Sequence, residues 1–136
     1  MEKLQRPNSN VDAQVADLIV EMFHSSTKIH ICHLSITGVG SYAAHKALDD
    51  YYNEIIDLGD SVAEQYQGEI QKILPYPSSV AIPDMKTAEQ AINYLRSLKE
   101  KVNNLQPQIK FSEIVNQLDE VKSLISGTIY KLTFLK

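Results

Sequence analysis

Cysteine is almost missing from the chain. Cys32 is the single one among 136 residues, so no intramolecular disulfide can form and a reducing cytoplasm is the expected setting. Glycine and proline number five each, too few for a low-complexity or loop-built protein. No uninterrupted apolar run approaches the roughly 18 residues of a membrane-spanning helix. The opening Met1-Glu2-Lys3-Leu4-Gln5-Arg6-Pro7 lacks the charged-then-apolar shape of a secretory signal, which keeps the expectation cytoplasmic. Basic residues are in deficit, 13 Lys and Arg against 17 Asp and Glu, for a net charge of −4 and a pI near 5.5. Nucleic-acid binding draws on a basic stripe, and here the lysines are scattered, with only Lys3 and Arg6 in the N-terminal arm. Neither nucleic acid nor a membrane is therefore an expected partner.

What the chain does contain is helical periodicity, enough for one domain spanning 1–136 with 1–9 as a flexible arm. A first helix is expected from about Asn10 to Ile36, with Asn8, Ser9 or Asn10 as its cap and Val11, Val15, Leu18, Ile19, Met22, Ile29 and His33 along one face. Thr37-Gly38-Val39-Gly40-Ser41 then permits a reversal. The second helix is expected over 41–67, capped by Ser41 and stopped by Gly68. Its inner stripe reads Tyr42, His45, Leu48, Asp49, Tyr52, Ile55, Ile56, Val62, Ala63 and Tyr66, and Gly59 weakens it by roughly 1 kcal/mol against Ala. Pro75, Pro77 and Pro83 rule out a helix across 74–83. A third helix is expected from about Asp84 to Gln106, ended by Pro107, with Ala88, Ala91, Ile92, Leu95, Leu98, Val102 and Leu105 as its stripe, and a fourth from Lys110 or Ser112 to Leu135, with Ile114, Val115, Leu118, Val121, Leu124, Ile125, Thr128, Ile129, Leu132 and Leu135 inside. The fold class that follows is all-α, a four-helix bundle with its long connection between helices two and three.

Polar residues on helix faces carry the chemistry. His30 and His33 are three apart, His45 and Asp49 four apart, and Asp60 and Glu64 four apart, so each pair shares a side of its helix. Imidazole with carboxylate suits Fe(II), Mn(II) or Zn(II). Length adds a constraint. His45 and Asp60 are fifteen residues apart, roughly 22 Å along a helix, whereas two metals of a shared site sit about 4 Å apart. Either the two pairs are separate features, or an antiparallel partner chain brings them together. Bland readings stand beside this one: His33 and His45 as hydrogen-bonded core histidines, Asp60 and Glu64 as a solvated face, His24 as a surface residue, and Cys32 as a small apolar side chain.

The stretch Thr27-Lys28-Ile29-His30-Ile31-Cys32-His33-Leu34-Ser35-Ile36-Thr37-Gly38, continuing through Tyr42-Ala43-Ala44-His45, resembles the signature of the Dps mini-ferritins. Asp49, Tyr51-Tyr52, Asp60 and Ala63-Glu64 continue it at that family's spacing, and Ile125-Ser126-Gly127-Thr128-Ile129-Tyr130-Lys131-Leu132 resembles the end of its last helix. The likeness is strongest over 15–67 and weaker from Ala88 onward. It implies a ferritin-like bundle and a ferroxidase centre of His33, His45 and Asp49 from one subunit with Asp60 and Glu64 of the partner subunit. These five would be both metal ligands and catalytic residues. It further implies a di-iron site (with manganese or zinc as other occupants), oxidation of Fe(II) by peroxide or O2, and storage of iron inside a homo-oligomeric shell of two-fold dimers, a dodecamer in that family. Leu34 stands where the family usually has Trp, and the link after Gly68 is short and Pro-rich where the family has a short helix. Those departures motivate the alternative, a catalytically silent ferritin-like bundle working through protein contacts.

Overall fold

The computed structural model describes residues 2–135, with side chains from Asn10 onward. Four helices are present: α1 Glu2–Ser35, α2 Ser41–Ile70, α3 Ala88–Leu105 and α4 Ser112–Phe134, with one 3-10 turn, Gln106–Gln108, between the last two. Among the described residues there is no strand and no helix long and apolar enough to cross a membrane. The chain is an all-helical bundle.

Helix ends differ from expectation by local chemistry. α1 begins at Glu2, ahead of Asn10, and the capping side chains proposed at Asn8 and Ser9 lie outside the described side chains. α2 is capped by the left-handed Gly40 (φ 80°), not by Ser41, and no side chain caps it. It also runs past Gly68, because Gln71 takes the left-handed closing position (φ 57°) and its amide caps Gln67 O. α3 starts after Thr87, whose hydroxyl accepts Gln90 N at 3.1 Å, so Asp84 lies in the link and not in the helix. Pro107 does not end the helical path. It sits inside the 3-10 turn, where its missing N–H leaves no bond unmade.

α1 packs on α2 and α3, and α4 packs on the same two. Contacts fix the directions. Tyr66 meets Asp12 while His45 meets His33, so α1 and α2 are antiparallel. Lys101 meets Glu21 while Thr87 meets Cys32, so α1 and α3 are antiparallel too. α2 and α3 therefore run the same way on a diagonal, and the link 71–87 must travel the length of the bundle. It does so alongside α1: Lys72 pairs with Asp12, Val80 with His24, Asp84 with Lys28 and Thr87 with Cys32. From Asp12 to Cys32 is roughly 30 Å of helix, and fifteen further helical residues would cover only about 22 Å. The link has to be extended, which is the conformation its three prolines favour. Buried Leu74 and Met85 anchor it near its two ends.

The core is Val15, Ile19, Met22 and Ile29 of α1, Leu48, Tyr51, Ile55 and Val62 of α2, Leu95, Leu98 and Val102 of α3, and Ile114, Leu118, Val121 and Ile125 of α4. The stripes of α3 and α4 follow their periodicity, except that Leu135, expected inside, lies past the end of α4 and is exposed. That of α2 is turned by about one residue in its first half: Ala44, Ala47 and Tyr51 face the core, whereas Tyr42 is 77% exposed. His45, Asp49 and Tyr52 consequently lie on the flank of α2 beside α1 and not inside the bundle.

Candidate metal site on the α1–α2 seam

The reversal at Gly38 (φ 94°) and Gly40 folds the end of α1 onto the start of α2. Residues twelve apart in sequence become neighbours: the His33 and His45 rings stand 3.5 Å apart between centroids, tilted by 32°. The Nδ1 of His45 lies 3.2 Å from the His33 carbonyl oxygen, a bond in which the ring nitrogen donates. His33 itself is buried, 7% exposed, and its Nδ1 has no hydrogen-bond partner among the described residues. An imidazole nitrogen sealed from water without a partner costs free energy, about 1–3 kcal/mol for a polar group left unsatisfied.

Aromatic contacts complete the seam. Tyr52 stacks on His30 at 4.0 Å with rings within 10° of parallel, and meets His33 edge-on at 5.3 Å. His30 in turn meets His33 edge-on at 5.6 Å. Asp49 lies close enough to both His33 and His45 to interact with their charge. Its carboxyl is held below the usual range, first by the Tyr52 hydroxyl that donates to it and then by the imidazoles and Lys46. Reciprocally, donating to the Asp49 carboxylate raises the Tyr52 phenol. Burial is the leading cause that lowers His33, and neighbouring His45 adds to it, while Asp49 pulls the other way. The pair is thus poised with a neutral imidazole and an ionised carboxylate, the protonation states in which both donate to a metal.

Asp60 and Glu64 are not part of this cluster. Both are exposed, further along α2, and among the described residues no group of three His, Cys, Asp or Glu side chains closes on one metal position. They do share the outward face of Asp49: eleven residues at 100° each bring Asp60 to within about 20° of it.

Several polar residues were not legible as special in the sequence. Glu21 is 4% exposed, accepting Tyr94 Oη at 2.9 Å and Lys101 Nζ at 2.7 Å. Asp12 is 2% exposed, accepting Tyr66 Oη at 2.8 Å and pairing with Lys72 at 3.4 Å. Ser25 bonds Tyr51 Oη at 2.8 Å. All are satisfied and tie helices together. His24, expected at the surface, is half-buried and faces the Val80 backbone from 3.2 Å. Cys32 is fully buried, and burial pushes its thiol up to about 11, so it packs as an inert apolar group.

A family model matches residues 33–132, from the first clustered histidine through nearly all of α4. The chain belongs to this family, described as a family of unknown function (DUF5856). The matched span includes His33, His45, Asp49, Asp60 and Glu64. No curated protein and no solved structure matches the chain.

Proposed function

We propose that this DUF5856 chain is a ferritin-like iron-handling protein whose metal site forms between two copies of the chain. The observation that carries the reading is the contact of the His33 and His45 rings, 3.5 Å apart between centroids, on an outer seam of the bundle beside Asp49, with one buried imidazole nitrogen left without a partner among the described residues. These side chains do not by themselves close on a metal position, and the remaining two carboxylates, Asp60 and Glu64, lie outward on the same helix. Laying α2 antiparallel against α2 of a second copy brings Asp60 and Glu64 of the partner subunit towards His33, His45 and Asp49. The helix order supports the ferritin-like reading: two antiparallel hairpins joined by a strap that returns the length of the bundle.

Iron enters as substrate. Two Fe(II) ions each give up one electron, and one peroxide takes both electrons and two protons to leave two waters. The protein supplies placement: imidazole and carboxylate donors and a seam that the oxidant and departing Fe(III) can reach. The extended link differs from the Dps pattern, so the proposal is for a two-fold pair and does not extend to a dodecameric shell.

The test is anaerobic loading with Fe(II), then peroxide, with Fe(III) followed by absorbance. We expect saturable oxidation at two irons per site, slowed about tenfold or more in H33A and equally in D60A. Oxidation in wild type no faster than in buffer alone would defeat the reading. It would leave the silent bundle that meets partners through its exposed apolar residues Ile31, Leu34 and Tyr42.

A further inference from the structure

The link 71–87 and α3 do not close on each other. Between them lie two open hollows of about 470 and 430 Å3, one on each side of the Lys101 side chain, which reaches across to Glu21 at 2.7 Å. Leu18, Val80 and Leu105 give the first hollow an apolar wall, and Met85 with Tyr94 do so in the second. The α3 side of this groove is a row of neutral hydrogen-bonding side chains: Gln90, Asn93, Ser97 and Asn104. Glu89, Arg96 and Glu100 of the same helix are exposed and lie outside it. Gln90 accepts Lys86 N at 2.7 Å, whereas the side chains of Asn93, Ser97 and Asn104 bond to nothing among the described residues. The facing wall is extended chain. From Ser78 to Met85, Val80 alone has a partner for its backbone groups, His24.

We infer that this groove binds an extended peptide segment of a partner protein, about six residues long, with a basic residue at its Asp17 end. A carboxamide both donates and accepts, so an Asn or Gln side chain can match a peptide group in full. The spacing fits as well. Asn93, Ser97 and Lys101 follow one another at four residues, about 6 Å along a helix, close to the roughly 6.8 Å at which an extended chain repeats its orientation. From Gln90 to Asn104 is about 21 Å of helix, the length of about six extended residues. The two hollows offer room for side chains of such a segment, while main-chain bonding holds it in place. Charge sets the end. Glu21 is paired with Lys101 and Asp84 with Lys28, which leaves Asp17 as the one charge lining the groove without an ion pair among the described residues. The inference is independent of the metal reading, whose residues lie on the other side of α1 and on α2.

The probe is a set of fluorescein-labelled hexapeptides, with Lys at the first or last position and apolar residues alternating with Thr. Each is titrated with the full chain and followed by fluorescence anisotropy. Saturable binding is expected for at least one peptide. N93A and N104A are each expected to weaken it about tenfold, and D17N to remove the preference for Lys over Gln. All three positions are exposed, so the fold is expected to hold, and melting followed by circular dichroism checks it. Methylating alternate backbone nitrogens of the peptide keeps every side chain and removes donors, and is expected to weaken binding at least tenfold. Absence of saturable binding across the set overturns the inference. Wild-type affinity in N93A/N104A overturns it too, because the peptide then sits elsewhere, and so does undiminished binding of the methylated peptide.

Discussion

His33 couples acidity to folding. Burial and His45 lower its pKa below the ordinary value near 6.5, so the folded chain resists protonating it while the unfolded chain does not. The sign follows from linkage: above about 6.5 both states are neutral and the full stability is present. As pH falls through that value, the unfolded state takes up a proton first and stability is lost. Urea melts of metal-free protein should show midpoints dropping from pH 7 to pH 5, and H33Q should flatten that slope. An unchanged slope in H33Q would place the sensitivity elsewhere. Gly59 is the other residue with an outsized role. A Cβ there would stand 2.8 Å from Phe23 Cε1, so the absent side chain admits the Phe23 ring against α2. G59A gains about 1 kcal/mol of helix propensity but meets an overpacking cost of about 1–3 kcal/mol. We expect a net loss in G59A, and at least half of it recovered in F23L/G59A relative to F23L alone. Additive effects in that cycle would show that the contact does not matter.

At the level of elements, the link is the part of the fold most open to test. His24 holds Val80 midway along it, between the anchors at Leu74 and Met85. The Lys28–Asp84 pair beyond is exposed on its acid side and contributes little. H24A should cost about 1 kcal/mol and, more tellingly, should quicken proteolytic cleavage within 76–83 while α1 to α4 stay intact. Equal cleavage rates would mean the strap is held by its ends alone. The link was legible in the sequence because three prolines within nine residues admit no helix. The stripes of α3 and α4 were legible because large aliphatics mark them. α2 misled because its core side opens with Ala44 and Ala47, which carry little hydrophobic signal, while Tyr42 and Tyr52 carry much and face outward or sideways. The proximity of His33 and His45 was implied by the glycine reversal between them. Glu21 and Asp12 were opaque, because a lone acid on a helix reads as solvated until its tyrosine and lysine partners, 54 to 80 residues away, are in place.

For the molecule as a whole, the exposed apolar residues beside the seam bear on assembly. Leu34 is 70% exposed, Ile31 53% and Tyr42 77%, all near the His33–His45 cluster in sequence and on the same two helices. Placing a charge on such a residue costs the monomer little, since it is already in water. It would cost a two-fold contact more, because the carboxylate would be desolvated without a partner. L34D should therefore keep the wild-type circular-dichroism spectrum at low protein concentration while light scattering shows the mass per particle falling from dimer or larger to monomer. A wild-type chain that is monomeric at micromolar concentration would remove the basis for a shared site.

The strap along α1 also bears on how the chain comes together. Each hairpin, α1 with α2 and α3 with α4, closes through a short local loop, so both can assemble early and separately. Only the docking of one hairpin on the other demands distant pairing, and the strap between them runs lengthwise along α1. A backbone nick within it would leave two hairpins held to each other by the interior they share and by side-chain pairs such as Lys101–Glu21 and Lys131–Asp50.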